Sequence, residues 1–149
     1  MKTILSICIM CIFTISYAQS DDKTQIEKTL LNYIEGFYEG DTLKLQNALK
    51  PKLYKFGYWK NKDSGEYEFS SQMTYRKAMD YANGVREKNT VKEKDVIRKV
   101  EILDIGHHIA AAKVTAWWGI DYMLLSKENG KWMIEQVIWE GPLEKTHLN

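Results

Sequence analysis

The sequence predicts an α+β domain, with three helices first and an antiparallel sheet on which they pack. Three observations predict it. Apolar residues recur at helical spacing in three segments before residue 85, and four long segments after residue 95 alternate with the period of a strand. Between the last two of these segments, Glu128-Asn129-Gly130 has the composition of a hairpin turn.

Residues 1–18 read as a leader and not as part of the fold. Lys2 supplies a basic start, Ile4 to Ile15 is apolar, and Ser16-Tyr17-Ala18 ends in the small residue that a signal peptidase requires. The apolar run is shorter than the roughly 20 residues a membrane span needs. The expectation is cleavage after Ala18 and a secreted or periplasmic domain, residues 19–149, with no membrane span. Both cysteines, Cys8 and Cys11, fall inside the leader. Their loss excludes a disulfide framework, a thiol nucleophile and a cysteine metal site. The chain has 21 basic and 20 acidic residues, and loss of Lys2 balances them. A neutral chain whose charges alternate, as Glu87, Lys88, Lys92, Glu93, Lys94 and Asp95 do, has no field for gathering nucleic acid.

Each element then follows in order. Ile26, Leu30, Tyr33 and Phe37 share one helical face, with Asp22 and Gln25 spaced as a capping box and Gly40 as the stop. Asp41 is an N-cap for a short helix carrying Leu45, Ala48 and Leu49 and ending at Pro51. From Leu53 the period becomes two: Tyr54, Phe56 and Tyr58 share one face of a strand, residues 60–65 turn, and residues 66–69 return. Ser71 caps a third helix with the stripe Tyr75, Ala78, Met79 and Ala82, closed by Asn83-Gly84. Strands are expected over 96–105, 108–118, 120–127 and 131–139.

Asp121 is the residue that most invites a functional reading, because it is a lone carboxylate in an apolar strand. Burying it costs several kcal/mol (roughly) unless it is hydrogen-bonded or protonated, so it is either a tied structural acid or a pocket acid. Parity places it with Met123 and Leu125, opposite Ile120, Tyr122 and Leu124. Tyr33 is either a core tyrosine or a hydrogen-bond donor beside it. Tyr54, Phe56, Tyr58, Tyr75, Phe37 and Trp117 are further candidates to line a ligand pocket or fill a core. Neighbours on a strand face opposite ways, so one of Trp117 and Trp118 should reach the outer sheet face and support a homodimer. His107 and His108 diverge in the same way and have no partner at ligand spacing, so no metal site and no cofactor is expected.

The segment Tyr33-Ile34-Glu35-Gly36-Phe37-Tyr38-Glu39-Gly40-Asp41, together with Asp121-Tyr122 and the Gly130-Lys131-Trp132 hairpin, resembles the NTF2-like superfamily. Within it, the group of putative lumazine-binding proteins is the most similar. The resemblance implies a cone in which three helices sit on a strongly curved sheet around a small-molecule-sized cavity, commonly dimerised through the sheet. The superfamily includes ketosteroid isomerases, which use a tyrosine and a protonated aspartate as an oxyanion hole beside an aspartate base. Tyr33 and Asp121 match the first two roles. The base position falls near Gly57, between Phe56 and Tyr58, where no side chain can take a proton from carbon.

Three functions remain: an exported domain that binds a small apolar or aromatic ligand, an isomerase-, dehydratase- or cyclase-type enzyme using Asp121 and Tyr33, and a dimeric structural domain with a filled cone. In the enzyme reading His107 or His108 would be the alternative bases.

Overall fold

In the computed structural model, the described residues are 2–92 and 95–145, with side chains described from Asp21 onward. The expected leader therefore lies outside the described side chains. Among the described residues no helix is long and apolar enough to cross a membrane. The element order is α1 (Lys2–Glu39), α2 (Thr42–Ala48), β1 (Leu49–Lys60), β2 (Tyr67–Phe69), α3 (Tyr75–Glu87), β3 (Arg98–Ile105), β4 (Ile109–Ala116), β5 (Gly119–Glu128) and β6 (Lys131–Gly141). The strands form one open sheet in the order β2-β1-β6-β5-β4-β3.

The expected α+β class is observed, and the sheet is mixed. Strands β3 to β6 form the antiparallel meander, while β1 pairs β6 in parallel, Phe56 beside Ile138 and Gly57 beside Trp139. Pro51 lies where that register slips, between Leu49 and Tyr54. A residue without an N–H is tolerated at such an irregularity, so the proline neither ends α2 nor delays the strand, and β1 starts at Leu49 instead of Leu53.

Ile26, Leu30, Tyr33, Ile34 and Phe37 form the buried face of α1. The helix runs through Asp22, so no capping box forms there. Asp22 Oδ1 instead accepts from Lys127 Nζ at 2.6 Å and Trp132 Nε1 at 2.9 Å, which ties α1 to the β5–β6 hairpin. Gly40 at φ +70° stops the helix, and a side chain there would strike the Ala82 carbonyl of α3. Asp41 then caps α2, accepting from the Leu43 and Lys44 N–H groups.

Two expectations about α3 are corrected. Its N-cap is Thr74, not Ser71, and Asn83-Gly84 does not end it; the helix continues to Glu87, because Val85 extends the buried stripe begun by Ala78 and Ala82. Tyr75 and Met79 pack partly buried against the core.

Along β1 the inner row is Leu53, Lys55 and Gly57. The outer row is Tyr54, Phe56 and Tyr58, with Tyr54 49 % and Tyr58 40 % exposed. These rings form an outer aromatic ladder with Phe69 of β2, at centroid distances from 5.3 to 6.2 Å. On β5 the parity holds as expected: Asp121, Met123 and Leu125 face inward, while Tyr122 and Leu124 face out.

Candidate functional site

Trp117 and Trp118 are not strand residues. Ala116 pairs with Gly119, so the two tryptophans form the two-residue turn between β4 and β5. Strand alternation therefore does not govern these two positions, and both rings fall on the same side, 6.0 Å apart and edge to face. Tyr38 pins the turn, its hydroxyl accepting from the Trp117 N–H at 2.9 Å and donating to the Ile97 carbonyl at 2.6 Å. The Trp118 ring packs edge-on against Tyr33, Phe37 and Tyr38. Such contacts stabilise by about 0.5–1.5 kcal/mol each beyond their area.

Between this turn, the C-terminal part of α1, α3 and the inner face of β1 and β6 lies a cleft of about 210 Å³. Trp59, Trp117, Trp118 and Trp139 line it, with Tyr33 and Phe37 from α1 and Tyr81 from α3. Polar groups occupy two places: Ser70, Ser71, Gln72 and Lys77 come from the β2–α3 connection and the start of α3, and Lys55 lies among the rings. Gly57 makes room for one wall, since a Cβ there would come within 2.5 Å of the Trp139 ring.

Lys55, Tyr33 and Asp121 form one buried network. Tyr33 Oη donates to Asp121 Oδ2 at 2.5 Å. Lys55 Nζ donates to Tyr33 Oη at 2.7 Å and to Asp121 Oδ2 at 3.3 Å. Trp118 Nε1 donates to Asp121 Oδ1 at 2.8 Å. Asp121 is 0 % exposed and the Lys55 side chain 7 %. Asp121 thus has the partners an ionised buried carboxylate needs, and only Lys55 and Tyr33 of this trio line the cleft. The Lys55 ammonium also lies 5.5 Å from the ring centres of both Tyr33 and Trp139, within cation–π range.

The environment moves both titrating groups away from their ordinary values. Burial pulls the Lys55 amine below the usual lysine range, opposed by the Asp121 charge. Burial holds the Tyr33 hydroxyl well above its usual range, and the neighbouring Asp121 charge adds to the effect.

Of the candidates from sequence, the structure brings Tyr33, Phe37 and Trp117 to the cleft and Asp121 into contact with Tyr33. It does not bring Tyr54, Phe56 and Tyr58, which stand on the outer face because inner and outer rows alternate and Lys55 takes the inner one. Tyr75 does not line the cleft either and packs on the core. Sequence reasoning missed Trp59, Tyr81, Trp118 and Trp139 of the cleft wall and, in the polar network, Lys55. The signal for Lys55 was indirect: a buried Asp121 needs partners, a cation being one kind, and Lys55 is in phase with Leu53, Gly57 and Trp59. Among the described residues no group of His, Asp and Glu side chains is arranged to hold a metal ion.

Helices on one face of such a sheet with a cleft at one end define the NTF2-like fold, and solved structures agree. An NTF-2 like protein of unknown function from Silicibacter pomeroyi DSS-3 superposes with a TM-score of 0.62 at 15 % identity, covering 81 % of this chain and 96 % of that one. One from Methylobacillus flagellatus KT gives 0.58 at 24 % identity, covering 80 % and 91 %. A hexachlorocyclohexane dehydrochlorinase gives 0.52 at 10 % identity, covering 83 % and 87 %. The family model described as "Putative lumazine-binding" matches residues 21–140, and the chain belongs to that family. No curated protein matches it.

Proposed function

We propose that this chain is a binding domain for a small, flat, aromatic molecule, held between the tryptophan rings of the cleft with a polar edge turned to Lys55 and Tyr33. The observation that carries the reading is the composition of the cleft: four tryptophans around one buried ammonium. Flat rings stack on such walls, and a few convergent polar groups fix their orientation. The family description favours a ligand of the lumazine kind, a planar bicycle edged with carbonyl and ring-nitrogen acceptors. Because the cleft is open, it favours ligand binding over a filled core. Asp121 lies at 0 % exposure with its oxygens engaged, which disfavours its use as a base on carbon.

The leader-like residues 1–18 support export, to a secreted or periplasmic location, with residues 19–149 as one domain. The outer sheet face, where Tyr54, Tyr58, Phe69, Tyr122 and Leu124 are exposed, supports a homodimer. Sedimentation that finds monomer alone at about 50 µM would remove that assembly, since a standard-sized specific interface persists there.

Titration with lumazine, followed by tryptophan fluorescence, tests the central reading. Saturable quenching is expected. Stacking on a heterocyclic base is worth about 1–3 kcal/mol, so Trp117→Ala should raise Kd by about 5- to 150-fold. Quenching that does not saturate, or that Trp117→Ala leaves unchanged, rejects it.

A further inference from the structure

The proposed binding reading leaves one group in the cleft with chemistry of its own. Lys55 lines the cleft from among aromatic rings, with its Nζ 2.7 Å from a hydroxyl and 3.3 Å from a carboxylate. A primary amine in such a place, beside one group that takes a proton and another that relays it, has what condensation with a carbonyl requires.

We propose that Lys55 captures small, flat aromatic aldehydes in the cleft as a covalent imine. The inference rests on the cleft being a binding site for flat rings and adds a reaction to it.

The Lys55 ammonium passes one proton to the Asp121 carboxylate, and the neutral amine attacks the carbonyl carbon. A C–N bond forms and the C=O π bond breaks. The oxygen takes a proton from Tyr33 Oη, which regains one from Asp121. The nitrogen then gives its second proton back to Asp121. The same relay protonates the carbinolamine hydroxyl, which leaves as water while the nitrogen lone pair closes the C=N bond. Ammonium and aldehyde become iminium and water; Asp121 and Tyr33 end as they began, and nothing is oxidised or reduced. The short Tyr33–Asp121 and Lys55–Tyr33 distances connect the three groups without an intervening molecule. Burial supports the scheme further by favouring the neutral amine. Exposed lysines such as Lys99, whose side chain is 52 % exposed, lack this enclosure.

The test is reductive trapping of the full chain. The protein is incubated with benzaldehyde and sodium cyanoborohydride, and the benzylated lysines are located by peptide mass spectrometry. Benzyl alcohol, which has the same ring and no carbonyl, is titrated in parallel by tryptophan fluorescence. Lys55 should be labelled ahead of every exposed lysine, and Tyr33→Phe should slow that labelling by roughly 10²-fold, the usual loss when a positioned proton donor is removed. Lys55→Arg, which keeps the cation beside Asp121, should abolish the fast labelling and leave Lys77, the exposed lysine at the cleft, labelled no faster than the other exposed lysines. If benzyl alcohol binds and Lys55 is not labelled preferentially, the imine proposal is overturned while the binding reading stands. If neither probe engages the cleft, both are overturned.

Discussion

The ammonium of Lys55 lies 3.3 Å from the carboxylate of Asp121, with 7 % and 0 % of the two side chains exposed. At that depth the mutual attraction has to offset the loss of hydration of both charges, and removing either partner strands the other. Lys55→Met and Asp121→Asn should therefore each cost about 3–5 kcal/mol. The double variant should lose clearly less than the sum, because it leaves no orphaned charge. Urea melts of the four proteins measure the coupling, and an additive result would mean that the two groups do not act as a pair.

Tyr33 gives an alkaline signature. Its hydroxyl is held protonated well above the ordinary value of 10.0 by burial and by Asp121. Where the unfolded chain has already lost this proton, the folded chain keeps it. The associated stability is thus complete below pH 10.0 and falls as pH rises beyond it. Tyr33→Phe should cost about 1.5–3 kcal/mol near neutral pH, the range for a hydrogen bond to a charged group. The gap between wild type and variant should narrow above pH 10.0, and a gap independent of pH in that range would contradict the assignment.

Gly57 is expected to tolerate no side chain. A Cβ there would lie 2.2 Å from the Trp139 carbonyl and 2.5 Å from its ring, so either the β1–β6 pairing or the cleft wall must move. Gly57→Ala should destabilise the fold by about 1–3 kcal/mol, the scale of overpacking in a close-packed site. It should also weaken ligand quenching. An unchanged melting temperature and unchanged binding would show that Trp139 does not sit over Gly57.

The leader-like character of residues 1–18 leads to a processing prediction. The exported protein should begin at Gln19, and intact-mass measurement of the exported chain checks this. A soluble cytoplasmic species that retains residues 1–18 would contradict it.

Much of the fold was legible because periodicity reports burial. The α1 stripe, the Asp41 cap and the grouping of Asp121 with Met123 and Leu125 on one strand face all follow from local pattern and recur in the structure, while only the structure shows that this face turns inward. What escaped depended on non-local pairing. Pro51 reads as a stop until the parallel β1–β6 pair supplies an irregular register to hold it. Tyr54, Phe56 and Tyr58 look like a core row, but hydrophobicity cannot say which of two alternating rows turns inward, and here the row with Lys55 does. Trp117 and Trp118 read as opposite-facing strand residues until pairing of Ala116 with Gly119 makes them a turn. The Tyr33–Asp121 contact was suggested by sequence, yet the third member of the network lay in a row taken for the outside.

The tryptophans provide the most direct test of the cleft as the ligand site. Four of the five line it, and the fifth, Trp132, is buried elsewhere with its Nε1 on Asp22. Each indole N–H gives its own signal in a proton–nitrogen correlation spectrum, so titration with lumazine reads all five positions at once. The signals of Trp59, Trp117, Trp118 and Trp139 should shift in a saturable way while that of Trp132 stays in place. Saturable shifts confined to Trp132, or none at any of the four, would contradict it.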